Sequence, residues 1–165
     1  LPISLINKIP AKGIAGLSMG GYGALSLGFK HPDLFNSVIS LSGALLPGVI
    51  KQGETPFSNF PMNENQKAQM EMLLGGIFGR PFNADYWNKN NPFNLIDNIK
   101  NKRLRVYLAC GDHDDFKLFL GSAAMQQLLL SNEIDSKLEI SSGKHSWDFW
   151  NEYLEKLLKF FDESF

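Results

Sequence analysis

The five residues Gly16-Leu17-Ser18-Met19-Gly20 constrain this chain more than any other stretch. An apolar run over residues 12–17 leads into them, and small and apolar residues fill 19–29. That order predicts a short buried strand, a sharp turn at the serine, and a helix packed closely on a sheet. His31-Pro32-Asp33 ends the helix, because proline disfavours helical geometry at the residue before it. A cation at His31 is also favourable against the helix dipole.

The rest of the chain continues the alternation. Residues 37–42 predict a second strand, stopped by Gly43. Residues 104–110 predict a third strand, 116–130 a helix, and 137–141 a fourth strand. Trp147, Trp150, Leu154, Leu157, Leu158 and Phe161 recur at helical spacing and predict one face of a closing amphipathic helix. Strands alternating with helices imply an α/β fold, a mostly parallel sheet flanked by helices. Residues 1–165 read as a single domain. Within it, residues 47–101 form a lid or insertion rich in Pro, Gly, Asn and Phe, with a helical look only at 65–74. Its aromatics, Phe57, Phe60, Phe78, Phe82, Tyr86, Trp87 and Phe93, suit a satellite core, or else a pocket for an acyl or phenolic group.

Charge and composition remove several function classes. A net charge of −1 on 165 residues gives no footprint for nucleic acid or an anionic membrane. No apolar run approaches the roughly 20 residues of a membrane span. The single cysteine, Cys110, allows no internal disulfide framework, and its apolar surroundings predict a buried, inert thiol. The chain opens at Leu1-Pro2 without an initiator methionine or a recognisable signal peptide, so the compartment is left open.

Serine at its free pKa is a weak nucleophile. It needs a base within hydrogen-bond reach and a third group to orient that base. A G-x-S-x-G turn between strand and helix lifts the serine into the open and aims the next amide at a developing oxyanion. Such a turn requires an acid and then a histidine later in the chain, each just after a strand. Of the three histidines, His31 comes too early and His113 lies inside an acidic loop. His145, in "SSGKHSWDFW", follows the last strand and precedes the last helix, where the base belongs. The acid lies in "ACGDHDDF", which offers Asp112, Asp114 and Asp115. The spacing from Gly111 favours Asp114, with Asp112 and Asp115 as alternatives. Asp-His-Asp-Asp could also supply metal ligands, but the further ligand motifs that a metal site needs are absent from the sequence. A dinucleotide loop fits poorly, since Gly21-Tyr22-Gly23 lacks the third glycine of that motif.

These segments in order, "GLSMGGYGAL", "HPDLF", "SLSGAL", Gly111-x-x-Asp114 and "GKHSWDFW", resemble the C-terminal part of an α/β-hydrolase of the putative-esterase group. That group holds esterase D, tributyrin, feruloyl and acetylxylan esterases, and the antigen 85 acyltransferases. The pattern Gly143-x-His145-x-Trp147-x-x-Trp150 looks nearer the tributyrin and feruloyl esterases than the S-formylglutathione hydrolases. The resemblance implies Ser18 as nucleophile, Asp114 as orienting acid, His145 as base, and the Met19 N–H as one oxyanion donor. It implies a serine carboxylic-ester hydrolase that needs no cofactor and acts on a short-chain acyl, acetyl or feruloyl ester, free or carbohydrate-linked. An acyltransferase on the same scaffold is the alternative within the enzyme class, and a non-catalytic hydrolase-like binding domain the alternative outside it. Trp147 and Trp150 anchor the last helix in this reading. The group's sheet begins with strands upstream of the serine, and a loop among them gives the second oxyanion amide. Both are expected to precede Leu1, so the chain is expected to be part of a larger protein, a cleavage product or a truncated form, and an oligomer is left open.

Overall fold

The computed structural model describes residues 12–58, 60–100 and 103–163. The opening Leu1-Pro2, and anything expected before it, lie outside them. Four strands, β1 (Gly13–Leu17), β2 (Ser37–Leu41), β3 (Arg105–Gly111) and β4 (Ser136–Ser141), form one parallel sheet in the order of the chain. Parallel neighbours need crossovers, and helices supply them. Helix α1 (Met19–Lys30) joins β1 to β2, and α4 (Phe119–Ser131) joins β3 to β4. Helix α5 (Trp147–Asp162) closes the chain.

Successive strand residues point to opposite faces, so the sheet has two cores. Val38, Val106, Leu108 and Cys110 face α1 and α4, where Leu25 and Phe29 are fully buried. Each such side chain contributes about 2 kcal/mol by leaving water. Ile39, Leu41, Tyr107 and Ala109 face the other way, onto α5.

The crossover from β2 to β3 is the long segment, and it is more regular than its composition predicts. It holds α2 (Glu64–Phe78), α3 (Ala84–Asn90) and two 3-10 turns, Pro92–Asn94 and Ile96–Asn98. Asparagines start most of these elements. Asn63 and Gln66 form a reciprocal capping box for α2, while Asn83 and Asn91 cap the next two. Residues that read as loop formers are therefore helix starts. Phe57, Phe78 and Trp87 are buried in the same core as Leu25 and Val38, and Tyr22 of α1 stacks on Trp87 at 5.6 Å. The aromatics of the insertion thus fill a core around Trp87, although Tyr86 is exposed.

Helix α5 corrects one expectation. The stripe named from spacing does not all face the sheet: Trp147, Leu154 and Leu158 are 65%, 57% and 65% exposed. The buried face is Phe149, Trp150, Tyr153, Leu157 and Phe160. The helix carries two apolar stripes, and the sheet takes only one. The other flanks a groove along β1, lined by Ala15, Gly16, Leu17, Trp147, Trp150 and Leu154. Trp147 therefore does not anchor the helix in the core; it packs edge-on against Trp150 at 5.3 Å.

Candidate active site

The C-terminal ends of β1, β3 and β4 deliver Ser18, Asp114 and His145 to one place. Ser18 sits between β1 and α1 with φ 53° and ψ −121°, a left-handed backbone conformation that a side chain rarely adopts. Hydrogen bonds hold it there: its N–H donates to the Leu41 carbonyl at 2.8 Å, and its own carbonyl accepts from Gly21 and Ala44. The turn is tight because Gly16 meets the backbone of Gly20; a Cβ on Gly16 would lie 2.0 Å from the Gly20 oxygen. Gly20 itself has open space where its Cβ would be, so the close approach depends on Gly16 rather than on both glycines of the motif. Met19 is the first residue of α1, and its N–H has no acceptor within the helix.

His145 lies in the turn between β4 and α5. Its Nε2 is 2.9 Å from Ser18 Oγ and its Nδ1 is 2.7 Å from Asp114 Oδ2. The Asp114 side chain is 0% exposed and that of His145 only 12%. A buried carboxylate requires donors. Asp114 Oδ1 accepts the backbone N–H groups of Phe116 at 3.0 Å and Leu118 at 3.3 Å. These bonds organise the turn through Lys117, with φ 55°, and so α4 begins at Phe119 and not at 116. The Cys110 thiol lies 3.7 Å from Asp114 Oδ2, and burial, reinforced by that carboxylate, pushes it up to about 12. A thiol so hard to ionise is a poor nucleophile.

Among the three candidate aspartates, only Asp114 faces His145. Asp112 is exposed and pairs with the exposed His113 at 2.6 Å, a hydrogen bond that holds its carboxyl below the usual range. Asp115 is exposed too, and its carbonyl accepts from the Gln66 side chain. The Asp-His-Asp-Asp run therefore does not converge on a point. His31 is the C-cap of α1, away from this cluster. Asp112 instead joins two turns. Its Oδ1 accepts the Gly143 N–H at 3.2 Å, while the N–H groups of Asp112 and His113 donate to Ser141 and Gly143. This zipper ties the acid turn to the histidine turn. It needs glycine at 111, where a Cβ would sit 2.2 Å from the Gly143 oxygen.

Two residues that the sequence reading gave no part in the site complete the surroundings. Phe116 and Trp150 each meet the His145 ring near 90°, at 5.3 and 5.1 Å. Trp150 Nε1 donates to the buried Ser42 Oγ at 3.1 Å. A tryptophan one turn into the helix after His145 was the available signal, since that offset returns its side chain over the preceding loop.

With this geometry in view, the comparisons with known proteins are direct. A family model described as "Putative esterase" matches residues 6–161. The chain belongs to this esterase family. An acetyl esterase of Caldicellulosiruptor saccharolyticus is 32% identical over 148 residues, covering 86% of this chain and 50% of the esterase. A diacylglycerol acyltransferase/mycolyltransferase of Mycobacterium avium is 27% identical over 161 residues, covering 86% of this chain and 46% of its own length. The chain spans about half the length of the curated relatives it matches. Among solved structures, an S-formylglutathione hydrolase from Agrobacterium tumefaciens aligns over 94% of this chain and 50% of its own, with TM-score 0.68 and 19% identity. At that identity the likeness concerns the fold, a partial α/β-hydrolase.

Proposed function

We propose that the protein is a serine carboxylic-ester hydrolase that works through an acyl-enzyme, with Ser18, His145 and Asp114 as its catalytic residues. The observation that carries this is the unbroken run of hydrogen bonds from Ser18 Oγ through His145 to buried Asp114, at 2.9 and 2.7 Å. Ser18 Oγ attacks the ester carbonyl while His145 Nε2 takes its proton. The Met19 N–H, at the positive end of α1, donates to the oxyanion as the tetrahedral intermediate forms. His145 then protonates the leaving alcohol, and the acyl group stays on Ser18. Water, deprotonated by the same nitrogen, releases the acid. Asp114 keeps the imidazole in the tautomer with Nε2 free and offsets the charge it gains.

The acetyl esterase relative supports an acetyl or similarly small acyl ester as the substrate class. The acyltransferase relative supports a second reading, in which an alcohol replaces water in the last step. Product analysis with a competing alcohol separates the two.

The deciding experiment uses the full-length protein. A fluorophosphonate should label Ser18, and Ser18→Ala should lower kcat on p-nitrophenyl acetate by roughly 10⁵–10⁶-fold while the fold survives. Near-normal turnover in a folded Ser18→Ala protein rules the mechanism out. Absence of labelling in the folded wild type favours a non-catalytic binding domain.

A further inference from the structure

We infer that Trp150 is a positioning residue that sets the distance between His145 and Ser18, and that it does so through Ser42; the inference rests on the hydrolase reading above. His145 is held by two hydrogen bonds in the plane of its ring, one at each nitrogen. Such bonds fix where the ring sits but resist its tilting about the line between them only weakly. Resistance to tilt comes from Phe116 and Trp150, whose rings stand at 84° and 87° to the imidazole.

Trp150 differs from Phe116 in being tethered. Its indole N–H donates to Ser42 Oγ, and Ser42 is wholly buried at the end of β2. Ser42 has φ 42°, a conformation held by its N–H bond to the Ala109 carbonyl at 2.7 Å. Two residues on, the Ala44 N–H donates to the Ser18 carbonyl at 3.1 Å. The residue before Ser42, Leu41, accepts the Ser18 N–H at 2.8 Å. The 41–44 turn thus grips both sides of the Ser18 peptide, and the Trp150 indole joins that turn to the base. One side chain from α5 thus meets the ring of the base and the turn that holds the nucleophile. Buried indole N–H groups usually find an acceptor, and for Trp150 it is Ser42 Oγ, whereas the N–H of buried Trp87 has none among the described residues.

The test uses the full-length protein with p-nitrophenyl acetate and four variants: Trp150→Phe, Ser42→Ala, their double, and Ser18→Ala. Rates are normalised to sites titrated with a fluorophosphonate, or to total folded protein for Ser18→Ala, which has no site to titrate, and Tm is measured alongside. Each single variant should lower kcat about tenfold, with KM unchanged, because a displacement of well under 1 Å suffices for that. The double variant should be no slower than the slower single, since both remove one and the same link. If kcat per titrated site stays at the wild-type value while Tm falls, Trp150 only anchors the helix and the inference is overturned. Losses that multiply in the double variant overturn it as well. Should Trp150→Phe not fold, Ser42→Ala decides alone, because it keeps the indole in place. Ser18→Ala separates the two levels: its inactivity beside fully active Trp150 and Ser42 variants sinks this inference only, and its activity sinks the hydrolase reading.

Discussion

Three aspartates lie within four positions, and one hydrogen bond distinguishes them. Asp114→Asn would present an amide N–H to His145 Nδ1, which can then no longer donate, and the ring would turn to the wrong tautomer. The expected loss is about 10⁴-fold in kcat, as when the acid of a serine-protease triad becomes its amide. Asp112→Asn keeps an oxygen for the Gly143 N–H at the 3.2 Å site, and Asp115 meets its neighbours through its backbone carbonyl. Both amide variants should stay within a few-fold of wild type in steady-state kinetics. A large loss at Asp112 instead would identify the zipper between the two turns, and not the buried acid, as the decisive contact.

At the level of elements, the join between β4 and α5 carries a pH dependence. Glu139 on β4 pairs with Lys137 at 2.8 Å and with Lys156 on α5 at 2.6 Å. Burial works against its charge, but the hydrogen bonds from those two lysines outweigh it and hold the carboxyl down to about 2. A carboxyl depressed by folding contributes stability that is fully present above its ordinary value, about 4.3, and is lost as pH falls towards 2. Urea unfolding followed between pH 6 and pH 2.5 should show wild type losing more stability over that interval than Glu139→Gln. Equal acid slopes for the two proteins would show that these ion pairs are screened to nothing, as exposed pairs often are.

For the molecule as a whole, the β1 side decides its behaviour in solution. Among the described residues β1 pairs only with β2, so its other edge presents backbone donors and acceptors beside the apolar groove of Ala15, Leu17, Trp147 and Leu154. An uncovered edge of small residues is a template for pairing with another chain. Expressed by itself, this 165-residue chain should self-associate, and size-exclusion chromatography should show a concentration-dependent shift to larger species. Ala15→Lys, which puts a charge at the edge and into the groove, should reduce that shift. A monodisperse monomer at every concentration would show the edge to be covered already.

Short spacing encodes a definite part of this protein. A strand-to-helix turn at Ser18 follows from five residues and their flanks, and the alternation of strands and helices predicts the parallel sheet. The place of His145 follows from its position between a strand and a helix. These features are local, because backbone geometry and helical or strand period act over a few residues. Which aspartate turns inward is a matter of packing. Spacing from Gly111 favours Asp114 without excluding the chemically alike Asp112 and Asp115, and the turn built on the N–H groups of Phe116 and Leu118 is what buries one of them. Packing also chose which of two apolar stripes α5 buries, since both satisfy the same period and only the sheet discriminates between them. The tie from Trp150 to Ser42 crosses 108 residues. Such a contact depends on how strands and helices dock, and no pattern within either segment specifies it.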